Sequence, residues 1–273
     1  NDYSEVIKLD NNSFKGYYNR GLCYEKIEKY DKAHDDFLVS LKMEEISLNL
    51  NSNQNLNSYI NILLHIGNIK EKTNDYEQAI CYFEKILSYD SKNGASYHGI
   101  GLILDKQGDY ENAIKYFDKA IELDSQNSIY WHNRGCAYRN SGEIEKSIKD
   151  ISYAIEIDPE NILFYDNRSF LWKNIEDYEH AIADFTQILH MQNDNIKALV
   201  NRAFCYAKLN SFQAAIDDYS KILKIEKDGA DITANYNSYI NAVSGVTSGT
   251  ITSYFIKEGT EGTLEITVGL TLG

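Results

Sequence analysis

Apolar positions along the chain fall into short runs with the 3.6-residue period of a helix, and the runs come in pairs. The pairs recur every 34 residues: the window 94–127 returns as 128–161, 162–195 and 196–229, and the same pattern fits 14–47 and 60–93. The periodicity breaks once inside each window, at Gly108-Asp109, Ser141-Gly142, Glu176-Asp177 and Asn210-Ser211 in the last four. Each window therefore predicts two antiparallel helices.

Four kinds of position carry the pattern. The first helix has a bulky residue (Tyr17, Leu63, Tyr97, Trp131, Tyr165, Leu199) and a small one four places on (Gly21, Gly67, Gly101, Gly135, Ser169, Ala203). The second helix has a small residue early (Ala33, Ala79, Ala113, Ser147, Ala181, Ala215), followed by an aromatic or Ile (Phe37, Phe83, Phe117, Ile151, Phe185, Tyr219). Small residues let helices approach while bulky ones fill the space between, as stacked helical hairpins require. Over residues 1–229 this resembles the tetratricopeptide repeat (TPR) family, with six units in 14–229 and, in 1–13, the last third of a preceding unit. The resemblance implies an all-α TPR superhelical solenoid of antiparallel helix pairs. An Asn-rich stretch at 48–59 (LNLNSNQNLNSY) interrupts the register and reads as a low-complexity loop.

One coupling is internal to the sequence. Four units carry Arg just before the small first-helix residue (Arg20, Arg134, Arg168, Arg202), and the same four carry Asp sixteen places later (Asp36, Asp150, Asp184, Asp218). The two units with Ile66 and Ile100 have Tyr82 and Tyr116 there instead. The co-occurrence predicts structural ion pairs between the two helices of a unit, since a lone buried charge costs several kcal/mol. The other reading is a row of Arg side chains holding an acidic ligand.

In TPR proteins the first helices line the concave surface, and the resemblance places Asn19, Asn133, Asn167 and Asn201 there as a peptide-binding row. Asn both donates and accepts, so such a row can grip an extended peptide backbone, and it resembles the asparagine ladder of the TPR region of O-GlcNAc transferase; the other reading is a merely solvated inner face. His65 and Gly99 interrupt it. The Lys of the family's carboxylate clamp is missing one place before each rung, where Tyr18, Leu64, His98, His132, Asp166 and Val200 stand. His98 and His132 occupy equivalent places but lack Cys or carboxylate neighbours at ligand spacing, so no metal is expected.

Beyond residue 229 the pattern changes. Ile232, Tyr236, Tyr239, Ile240 and Val243 share a helical face, predicting a capping helix within 230–244. Residues 245–273 predict a C-terminal β segment: a strand at Thr250–Lys257, a Gly-rich turn, and a strand at Thr263–Leu272 that alternates with Leu264, Ile266, Val268, Leu270 and Leu272 on one face. A lone two-stranded hairpin is marginal in water. Two readings stand: a local hairpin lying on the last helix, or those five residues as an assembly strand that adds to a sheet edge on another copy.

Composition narrows the functional classes. The 273 residues hold one Pro and carry a net charge of −14, which suits long helices and opposes nucleic acids and anionic membranes. No apolar run reaches the length of a membrane span. Cys23, Cys81, Cys136 and Cys205 stand too far apart for a CxxC site and read as small buried packers. Thiols so used favour the cytoplasm, whereas a fibre subunit would be extracellular. Asn11 and Asn167 match the N-glycosylation acceptor. No GxSxG, GxxxxGK[ST], HExxH or GxGxxG pattern occurs, so neither an enzyme nor a cofactor is expected. The sequence thus points to a non-enzymatic scaffold binding a peptide or protein partner, with a self-assembling filament subunit as the alternative.

Overall fold

The computed structural model describes residues 2–50, 56–229, 251–258 and 264–270. The chain divides into two compact units, Asn1–Asp158 and Pro159–Gly273. The first holds α1 (Asp2–Leu9), α2 (Phe14–Lys26), α3 (Tyr30–Leu50), α4 (Leu56–Lys72), α5 (Tyr76–Tyr89), α6 (Gly94–Lys106), α7 (Tyr110–Leu123), α8 (Ser128–Asn140) and α9 (Ile144–Ile157). The second holds α10 (Ile162–Asn174), α11 (Tyr178–Met191), α12 (Ile196–Lys208) and α13 (Phe212–Gly229), with strands β1 (Ile251–Glu258) and β2 (Leu264–Leu270).

The hairpins α2–α3, α4–α5, α6–α7, α8–α9, α10–α11 and α12–α13 share one turn. A residue with positive φ ends each first helix: Glu28, Asn74, Gly108, Gly142, Glu176 and Asn210. The next amide closes the turn in Schellman fashion, Lys29 to Tyr24 and Asp109 to Leu104 both at 2.9 Å, Ser211 to Tyr206 at 2.8 Å. The following first helix starts on a side-chain cap: Ser13, Asn93, Asn127, Asn161 and Asn195 each accept an amide hydrogen bond from the helix's first turn. Part of the chain's abundant Asn is therefore cap chemistry.

The small first-helix residue faces the large second-helix one. A Cβ on Gly101 would lie 2.7 Å from Cε1 of Phe117, and one on Gly67 would lie 2.8 Å from Cε1 of Phe83. Phe37, Phe83 and Phe117 are consequently fully buried, together with Ala33, Ala79 and Ala113. In the second unit Ala181, Phe185, Leu199 and Ala203 fill the repeat's positions and are buried.

Three expectations need correction or limits. The Asn-rich stretch is not a loop over its whole length: α3 continues to Leu50 and α4 begins at Leu56, so helix occupies both ends of 48–59. Tyr59, placed in that loop by its neighbours' composition, is buried and donates its hydroxyl to Glu45 Oε1 at 2.9 Å. Of the four cysteines only Cys205 is buried; Cys23 and Cys81 are exposed and Cys136 is half-buried. The predicted capping helix at 230–244 lies outside the described residues. Strands β1 and β2 pair antiparallel from Ile251–Leu270 to Glu258–Leu264, with an irregularity between Ile251 and Ser253; Leu272 lies outside the described residues.

Candidate binding face of the first helices

In all four Arg-bearing hairpins the guanidinium forks onto the Asp sixteen places later. Nε and Nη2 of Arg20 donate to Asp36 at 2.8 and 2.7 Å, of Arg134 to Asp150 at 2.7 and 2.8 Å, of Arg168 to Asp184 at 2.9 and 2.7 Å, and of Arg202 to Asp218 at 2.8 and 2.6 Å. The four carboxylates are buried. In the hairpins without the pair, Ile66 and Ile100 are buried and Tyr82 and Tyr116 pack beside them on the core. Burial of Asp184 pushes its carboxyl up by more than Arg168 lowers it, so this fork neutralises a charge already removed from water.

Sequence reasoning missed a third contact. Arg20 Nη1 also donates to Ser4 Oγ at 3.2 Å, Arg134 Nη1 to Asp118 Oδ1 at 2.7 Å and Arg202 Nη1 to Thr186 Oγ1 at 3.0 Å. Each acceptor stands sixteen places before its Arg, on the second helix of the preceding pair or, for Ser4, on α1. One guanidinium thus ties three helices, and the signal was a short polar residue at that offset.

The Asn rungs are half-buried, and three are engaged. Asn133 Nδ2 donates to His98 Nε2 at 2.7 Å, and His132 Nδ1 lies 3.2 Å from Asn133 Oδ1, which it must donate to. That network needs a neutral His98, and burial pushes its imidazole down to about 4; His132 is lowered for the same reason. Asn167 Nδ2 donates to the Leu163 carbonyl at 2.9 Å, and Asn201 Nδ2 to the Lys197 carbonyl at 2.8 Å while its Oδ1 accepts from Lys173 at 2.7 Å. Asn19 makes no hydrogen bond among the described residues.

In the first unit neighbouring first helices are also tied through their ends: Glu25 Oε2 meets His65 Nδ1 at 2.8 Å, Glu71 pairs with Lys106, and Asp105 accepts from Asn140 at 3.0 Å. Between α4 and α6, where the rung row lapses at His65 and Gly99, lies a cavity of about 330 Å³. In the second unit α10 exposes Leu163 and Phe170, 51% and 47% accessible. The ammonium of Lys173 sits 5.7 Å from both the Phe170 and Phe204 ring centres, and Lys208 5.4 Å from Phe204. Among the described residues no three His, Cys, Asp or Glu side chains converge on a metal position, and no helix is long and apolar enough to cross a membrane.

Three family models, each described as tetratricopeptide repeat, match residues 95–127, 116–149, and both 60–93 and 196–228. No curated protein sequence matches the chain. Among solved structures, PilF of Pseudomonas aeruginosa is 14% identical over 84% of this chain and 96% of its own, with a TM-score of 0.64. MamA of Desulfovibrio magneticus RS-1 is 19% identical over 67% and 96%, TM-score 0.53. A chain of the Naa15/Naa10 complex bound to HypK-THB is 19% identical over 68% of this chain and 28% of that one, TM-score 0.56. These likenesses concern the fold, and the family models stop at residue 228.

Proposed function

The chain belongs to the tetratricopeptide repeat family, an architecture suited to protein–protein interaction, and from that membership we propose that it is a non-enzymatic scaffold taking a peptide or protein partner on its first-helix face, the concave face in this family. The observation that carries the reading is the surface of α10 and α12. Exposed Leu163 and Phe170, half-buried Phe204 and the ammonium of Lys173 combine apolar area, aromatic rings and a cation, the mixture from which interface cores are built. The Arg–Asp forks are structural in this reading, because their donors are already spent within the fold. A neighbour of the same fold occurs in a complex bound to HypK-THB, which is consistent with a face of this kind serving a protein partner. The test is a dodecapeptide selected from a random display library on the full chain. Leu163→Ala with Phe170→Ala should weaken its binding about tenfold or more and leave the melting temperature within about 2 °C, since both side chains are largely in solvent. Unchanged affinity would move the binding face elsewhere.

A second reading rests on the hairpin, in which β1 and β2 each pair on one side only among the described residues. Its free edges suit strand addition between copies, giving a self-associating subunit. Full-length chain should then sediment as oligomers that grow with concentration, and truncation after Gly245 should return monomers of unchanged melting; identical monomers from both would end this reading.

A further inference from the structure

We propose that the groove between α4 and α6 in the first unit takes the basic side chain, Arg or Lys, of an extended peptide. The inference rests on the first-helix reading above and names the ligand class for one part of that face.

Three observations converge. The first is why space opens here. On α6 the inner positions are Ala95 and Gly99, where α8 carries Ile129 and Asn133, so no side chain larger than methyl stands at either. Gly99 cannot be enlarged without moving the core, since a Cβ there would lie 2.6 Å from Cζ of the buried Phe83. The packing beneath therefore fixes the groove floor.

The second is which hydrogen-bonding groups are free. Asn61, His65 and Asn68 fall at i, i+4 and i+7 on α4 and line the groove together. The amides of Asn61 and Asn68 are exposed and make no hydrogen bond among the described residues, in contrast to those of Asn133, Asn167 and Asn201. Spaced two helical turns apart, they can each donate to and accept from a peptide backbone.

The third is charge. Glu71 is the one acidic or basic side chain in the lining besides the two histidines. Lys106 engages its Oε1, its Oε2 makes no hydrogen bond among the described residues, and a second carboxylate, Glu25, stands behind His65. A guanidinium or ammonium entering beside Leu64 and Leu102 reaches Glu71 Oε2 while its alkyl stem covers the leucines. An acidic side chain would meet Glu71, and the nearest cation, Lys106, is already engaged by that carboxylate.

The probe is a set of acetylated, amidated pentapeptides Ala-Ser-X-Ser-Ala with X as Arg, Lys, Leu or Glu, titrated into ¹⁵N-labelled full chain and followed by NMR. The Arg and Lys peptides should shift the amides of Ala95, His98 and Gly99 and the side-chain amides of Asn61 and Asn68, binding about tenfold more tightly than the Glu peptide. Glu71→Gln should weaken the Arg peptide about five- to tenfold and leave the Leu peptide unchanged. Ala95→Trp, which fills the groove from an exposed position, should abolish these shifts while the rest of the spectrum stays in place. Equal binding of the Glu or Leu peptide overturns the proposal. Shifts at Leu163, Phe170 or the Asn rungs without any in the groove overturn it and leave the first-helix reading standing. Shifts confined to second helices, or none with any peptide, overturn both.

Discussion

Arg134 reaches three helices with one side chain, donating to Asp150 across its own hairpin and to Asp118 on the preceding helix. Removing it strands the buried Asp150, so Arg134→Leu should destabilise the fold by about 3 kcal/mol in urea titration. Asp118 is partly in solvent and loses little. The matched pair Arg134→Ile with Asp150→Tyr copies the hairpins of Ile66 and Ile100 and should recover most of that loss; a double mutant as unstable as the summed singles would contradict the pairing. His98 gives a pH dependence. Its folded-state value near 4 lies below the ordinary 6.5, so the neutral ring contributes stability that is complete above the unfolded value and is lost as pH falls from about 6.5 toward 4. At pH 5 the loss should be at most about 2 kcal/mol. His98→Gln should flatten that part of the profile, and an unchanged profile would assign the effect elsewhere. At this scale the sequence disclosed the forks because Arg and Asp exchange together for Ile and Tyr. It hid the third donor, because Ser4, Asp118 and Thr186 differ in type. It misled on Cys23 and Cys81, which are exposed where small buried packers were expected.

A left-handed residue stands at the same place in six hairpin turns, and at two of them it is glutamate, Glu28 and Glu176. An L-residue with a Cβ pays about 1–2 kcal/mol there, partly offset in glycine by roughly 0.5–1 kcal/mol of extra unfolded-chain entropy. Glu176→Gly should therefore raise stability by about 0.5–1 kcal/mol, and Gly142→Ala should lower it by a similar amount. A loss of stability in Glu176→Gly would mean that its side chain has a role of its own. The breaks at Gly108, Gly142 and Asn210 were legible because those residues favour the conformation; position 176 was placed by the repeat period alone. The ends of α3 and α4 were obscured because Asn-rich composition outweighed the apolar spacing that buries Tyr59.

At the scale of the molecule, the period supplied the paired-helix hairpins, since each unit repeats the same few packing positions. It could not supply the α4–α6 cavity. His65 and Gly99 look in one dimension like gaps in a row of Asn, and only the proximity of two helices over Phe83 turns the gap into a groove. Nor could it show that three rungs already spend their amides within the fold. The central claim is that partners engage the first-helix face, and two residues of nearly equal exposure in one unit allow a matched test: Phe170 on α10 and Ile216 on α13, 47% and 44% accessible. The measurement is photocrosslinking of the display-selected dodecapeptide to full-length chain carrying benzoylphenylalanine at one position or the other. The account predicts a peptide adduct from position 170 and none from 216; an adduct from 216 alone would contradict it.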